Sequence, residues 1–292
     1  MRLISLALAV LMVTPALPAQ QRSDLDFRRE LAAGKRLYIQ NIIGDIKVVG
    51  TSGRSVEVTG IRVKRRWGNP EDVTLEVVEL DNGVALCVRY PQHRSRNRHS
   101  DDDSGDSKNP CSSRGSWNDD GDRNDTEINL TVRVPSGLLL RIGTVSGDVA
   151  AENLAGDLNL KSVSGNVRLA GASGPSISLE TVSGDVELLD GRAPEVYGHT
   201  VSGEVTFRGP ILKDGTYEFA TTSGDIGLTL PENPDAKMSA ATFSGRFSSD
   251  LPTTQNEQRR NRHRYNATWG SGSARLDLES LSGDIRISVG TR

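Results

Sequence analysis

Arg259, Arg260, Arg262 and Arg264 crowd into one polar segment of this 292-residue chain. A guanidinium is a planar fork of N–H donors that can hold two oxygens of one carboxylate or phosphate. The cluster therefore suits an anionic polymer or an acidic protein surface; a solvated insertion is the plainer reading. Two cysteines, Cys87 and Cys111, are the next candidates. An even count in an exported chain points to a disulfide. A zinc site built from Cys87, His93, His99 and Cys111 matches no standard ligand spacing. The run Asp120 to Asp125 invites a calcium loop, but its glycine is misplaced and Thr131 stands where a bidentate glutamate belongs. His93, His99, His199 and His263 have no partner in a nucleophile motif, and no Gly-x-Ser-x-Gly elbow occurs. No catalytic residue, metal or cofactor is assigned.

A repeat organises the rest of the chain. The frame Thr-Val-Ser-Gly-Asp-Val recurs around Gly147, Gly165, Gly184, Gly203, Gly224, Gly245 and Gly283. The separations are 18, 19, 19, 21, 21 and 38 residues. A period near twenty marks a solenoid whose turns cannot fold singly. With Gly as position zero, positions −2 and +2 are apolar in nearly every copy, as in Val182 and Val186; Thr222 is the polar exception. Period-2 patterning places both on the inward face. Gly then marks a crowded bend on that face. Positions −3 and −1, hydroxyl residues throughout, are expected to face outward as two polar columns. Position +1 forms a column of Asp148, Asn166, Asp185, Glu204, Asp225, Arg246 and Asp284. A cation ladder is one reading; acceptance of backbone N–H groups is the other, and the better supported. A second apolar pair per turn, such as Ile177 and Leu179, supplies the second strand. The expected fold is all-β: a right-handed parallel β-solenoid of short two-strand turns.

Residues 1–19 read as a signal peptide: Met1-Arg2, an apolar run to Val13, and cleavage after Ala19. That run is too short to span a bilayer, and no membrane span is expected elsewhere. Net charge is −3, so no global field favours nucleic acid. Residues 24–141 read as an all-β N-terminal cap with degenerate first turns. Asn41 to Ile46 repeats the frame around Gly44, and Asp81-Asn82-Gly83 signals a hairpin. Residues 91–126 are a polar, disordered insertion. Residues 142–292 are the solenoid, interrupted at 253–268 by the basic loop that accounts for the 38-residue gap.

A signal peptide, an early Asn-x-x-Gly-Asp-Ile element (Asn41 to Ile46) and Val-Ser-Gly-Asp-Val turns such as Val182 to Val186 carry a resemblance. Over roughly residues 30–292 the organisation resembles the bacterial putative-adhesin family of β-strand-repeat envelope proteins. The resemblance implies a β-strand-repeat fold and a presumption of adhesion, and it transfers no catalytic residues. The expected function is a non-enzymatic exported scaffold or adhesion module that contacts anionic envelope polymer or another envelope protein. The alternatives are a periplasmic regulatory or assembly partner and a glycan-processing β-helix enzyme. Oligomeric state is left open.

Overall fold

The computed structural model describes residues 25–91, 110–111, 124–259 and 262–290. The predicted signal peptide, Arg260 and nearly all of the predicted insertion at 91–126 lie outside the described residues. Among the described residues the fold is all-β, with 23 strands in two large sheets. In chain order the first seven are β1 (Leu25–Glu30), β2 (Arg36–Gln40), β3 (Ile46–Thr51), β4 (Ser55–Val63), β5 (Thr74–Leu80), β6 (Gly83–Arg89) and β7 (Glu127–Pro135). The repeats supply β8 (Leu138–Gly143), β9 (Val149–Glu152), β10 (Gly156–Lys161), β11 (Val167–Ala170), β12 (Ser176–Glu180), β13 (Val186–Leu189), β14 (Glu195–Ser202), β15 (Val205–Arg208), β16 (Thr216–Ser223) and β17 (Ile226–Leu230). The chain closes with β18 (Ala236–Ser244), β19 (Phe247–Ser249), β20 (Thr254–Arg259), β21 (Arg262–Trp269), β22 (Ala274–Ser282) and β23 (Ile285–Val289).

Each repeat contributes one rung: a strand in the twelve-stranded sheet, a corner holding the frame glycine, and a strand in the eleven-stranded sheet. Successive rungs pair in parallel and in register, with Val149, Val167, Val186, Val205 and Ile226 aligned. Those residues and their partners two positions on, such as Leu169 and Leu188, are fully buried between the sheets. Alternation of β-branched and leucine side chains builds this core because strand neighbours point to opposite faces. Where the core needs aromatics, the rungs compensate in size. Gly198 faces Phe219, whose ring an added Cβ would touch at 2.8 Å. Phe219 in turn packs against Phe207, with ring centroids 5.1 Å apart.

The order of rungs in space differs from the order in the chain at both ends. The β2–β3 rung lies between the β6–β7 rung and the β8–β9 rung. The last rung of the chain, β22–β23, lies between β16–β17 and β18–β19. The 38-residue gap between Gly245 and Gly283 was expected to be one interrupted turn. It is instead an outer rung, an antiparallel hairpin and a return into the interior of the stack. The hairpin replaces the expected basic loop at 253–268: β20 pairs with β21, and β21 pairs antiparallel with β18. Antiparallel strands β1 and β4 close one end of the eleven-stranded sheet, and β5 closes the same end of the other. Cys87 on β6 is bridged to Cys111, with Cα atoms 5.4 Å apart, which ties the insertion to this end.

Candidate functional site

The corner that joins the two sheets is built by the repeated frame, and Thr181 to Val186 shows how. Gly184 has φ +150°, a conformation that L side chains rarely adopt. An added Cβ there would lie 2.2 Å from the Gly165 carbonyl oxygen of the rung below. Thr181 is buried, and its Oγ1 donates to that same oxygen at 2.8 Å. The Asp185 N–H donates to Asn166 Oδ1 at 2.9 Å, and Asp185 Oδ1 accepts from the Glu204 N–H at 2.8 Å. Val182 points into solvent.

The other rungs repeat these roles. The position −3 hydroxyls donate to the neighbouring glycine carbonyl at 2.8–3.2 Å from end to end of the stack. Asn41 stands in at the first framed rung, where its Nδ2 donates to Ile128 O at 2.8 Å. At position +1, Asp45, Asp148, Asn166, Asp185, Asp225 and Asp284 each accept the next rung's N–H through Oδ1, at 2.7–2.9 Å. Glu204 is longer and accepts from Thr206 Oγ1 instead. Asp284 also holds Arg246 in an ion pair at 2.8 Å. The Arg246 backbone N–H and guanidinium keep the Asp284 carboxyl below the usual carboxylate range. The backbone-acceptor reading of the +1 column therefore describes this structure.

Two expectations are corrected here. The position −3 hydroxyls, expected outward, are buried. The position −2 side chains, expected inward, are exposed: Val145, Val163, Val182, Val201, Leu281 and Phe243 are 37–49% accessible. Strict alternation fails because the chain turns a corner between −3 and +2. Four successive residues lie on the outside of that bend, so the inward positions are five apart rather than four. The result is a ridge of eight rungs, from Ile42 through the regular valines and Thr222 to Leu281 and Phe243. Beside it run a serine column, bridged from Ser146 to Ser244, and the +1 column.

The basic cluster is only partly brought together. Arg259 and Arg262 are partners across the β20–β21 hairpin, and Arg264 lies opposite Ala241 and Asn256. Arg264 is exposed, and its Nη1 donates to Ser239 Oγ at 3.4 Å. Arg260 lies outside the described residues, as do His93 and His99. Among the described residues, no group of three or more His, Cys, Asp or Glu side chains is placed to hold a metal ion. Among the described residues, no helix is long and apolar enough to cross a membrane.

The profile of a family described as Toastrack DUF4097 matches residues 139–288, which hold the regular rungs and the C-terminal rungs. The chain belongs to the Toastrack DUF4097 family. Two solved structures share remote similarity with this toastrack chain. One is a "putative cell adhesion protein" from Clostridium sporogenes ATCC 15579, at 10% identity and TM-score 0.37, covering 91% of this chain and 99% of that one. The other is a "putative adhesin" from Bacteroides fragilis NCTC 9343, at 12% identity and TM-score 0.41, covering 90% and 96%. No curated protein matches the chain.

Proposed function

We propose that this toastrack protein is a non-enzymatic module of the cell envelope, exported by its N-terminal segment, that serves as a scaffold or adhesion surface. We take the stack to wind as a right-handed solenoid, the hand that parallel crossovers favour. One observation carries the functional reading. The frame's buried hydroxyls and its +1 Asp and Asn side chains are engaged with backbone groups of neighbouring rungs, while the −2 column, apolar except at Thr222, faces solvent from Val145 to Phe243. The stack commits the buried hydroxyls and one oxygen of most +1 side chains to its own backbone and leaves a long regular surface. The Cys87–Cys111 bridge fits an oxidising compartment. The arginines of the β20–β21 hairpin add a second contact, suited to anionic envelope polymer, with Arg264 already on the surface.

The test is retention of purified protein by cell-envelope fractions, alongside a broad panel of glycan and peptide substrates. The expected result is salt-sensitive retention and no turnover. Replacing Arg259, Arg260, Arg262 and Arg264 with serine should weaken retention on anionic polymer and leave the unfolding midpoint unchanged. Cleavage of any substrate, removed by a single point change, would overturn the non-enzymatic reading.

A further inference from the structure

We propose that the corner ridge docks the β-sheet of a partner protein that carries a basic column beside an apolar one. The proposal rests on the reading of the chain as a binding module and names what the ridge would bind. An exposed apolar residue once is ordinary; the same exposure on rung after rung of one line is a surface that normally marks an interaction. The −2 side chains take no part in the core, since Val182 is 45% accessible while its neighbour Thr181 is 3% accessible. Thr222 shows that the corner closes equally well with a polar residue there.

Spacing selects the kind of partner. Rungs about 4.8 Å apart give the eight-rung ridge a length of about 34 Å. A helix laid along it would present one turn per about 5.4 Å and drift by nearly a full rung over that length. Alternate side chains of an extended strand, about 6.8 Å apart, fall out of step sooner. Only stacked strands keep one apolar side chain against every rung.

Charge selects the chemistry of the partner's neighbouring column. Asp148, Asp185, Glu204 and Asp225 flank the middle of the ridge and are exposed. The three aspartates use Oδ1 for a backbone N–H of the neighbouring rung, and none of the four is in an ion pair among those described. A second copy of this chain is a poor occupant. Among the basic side chains beside the ridge, Arg246 of the +1 column is engaged by Asp284, Lys161 by Glu180 and Arg168 by Glu187. Two ridges apposed antiparallel would also bring two acidic columns together. The matching surface is therefore an apolar column with lysines or arginines beside it.

The probe is a set of in-register cross-β peptide fibrils, whose strands repeat at about 4.8 Å, displaying a valine column next to a lysine column. Matched fibrils with glutamate in place of lysine and a soluble helical peptide of valine and lysine serve as comparisons. The structure supplies tolerated substitutions: threonine at −2, as at Thr222, and asparagine at +1, as at Asn166. Co-sedimentation should show the parent protein on the valine–lysine fibril, released by salt. Val163→Thr/Val182→Thr/Val201→Thr and Asp148→Asn/Asp185→Asn/Asp225→Asn should each weaken binding tenfold or more, with the parent's unfolding midpoint. Equal binding to the glutamate fibril, equal or tighter binding to the helical peptide, no binding to any fibril, or unaffected variants would each overturn the proposal. Envelope retention of the same variants separates the two readings. Retention equal to the parent's leaves the module reading intact and removes the ridge from it. Absence of retention by the parent removes the module reading itself.

Discussion

The five rungs from Gly147 to Gly224 stack in the order in which the chain makes them, whereas the rungs at either end do not. In the middle, each new rung lies on the one just completed. At the ends, the first and last rungs of the chain are slotted between two others; antiparallel strands extend both sheets at one end and the twelve-stranded sheet at the other, where β19 is left as the edge of the eleven-stranded sheet. The difference shows that the frame defines a rung but not its neighbour. Gly283 seats on the Gly224 carbonyl, and Gly245 seats on the Gly283 carbonyl, with the same hydroxyl-to-carbonyl bonds as the regular rungs. Placing the chain-terminal rungs inside the stack protects them from fraying, and it leaves the outer rungs dependent on them.

That dependence makes the largest effect. Removing residues 274–292 deletes the parallel partners of β18 and β19. Limited proteolysis and hydrogen exchange should show residues 236–269 unprotected while β8 to β15 keep their protection. Continued protection of β18 would mean that it re-pairs with β16, making the end rungs interchangeable. Within the regular rungs, Gly184→Val places side-chain carbon against the Gly165 carbonyl. It should cost roughly 3–5 kcal/mol in denaturant unfolding, with an unchanged midpoint as the contrary result. Reducing Cys87–Cys111, which closes a separation of 24 residues, should cost about 3 kcal/mol. The loss should be confined to exchange in β5 and β6; equal loss in β10 to β13 would show that the two regions are not separable. The smallest effect is electrostatic. The folded Asp284 carboxyl titrates below its ordinary value, so its contribution is complete above pH about 4 and fades as pH falls through the folded value. The difference in unfolding midpoint between the parent and Asp284→Asn should be constant above that pH and shrink below it. A difference that grows on acidification would contradict the assignment.

Much of the regular region was legible in the sequence. The glycine column is visible because only Gly tolerates the positive φ and the 2.2 Å approach at Gly184, so its spacing survives every other change. The inward pairs such as Val167 and Leu169 follow the strand period. The corner was not legible, because its chemistry inverts the usual signal: Thr181 is polar yet buried to serve a carbonyl, and Val182 is apolar yet exposed. Only the hydrogen bond to Gly165 reveals why. Threading was hidden for another reason. A rung is recognised by its frame, and β22 satisfies the frame as well beside β16 as it would at the end of the stack. The hairpin at 254–269 was obscured by its polar composition, which reads as loop until β18 is seen to offer it an edge.

Adjacent corner positions divide the labour between core and surface, and mirrored substitutions test that division most directly. Thr181→Val and Val182→Thr exchange the same two side chains one residue apart. The structure predicts that Thr181→Val leaves the half-buried Gly165 carbonyl without its hydroxyl donor and costs about 1–3 kcal/mol. Val182→Thr should stay within about 0.5 kcal/mol of the parent, as surface changes do. A Val182→Thr loss as large as that of Thr181→Val would place the valine column back inside the core and contradict the ridge.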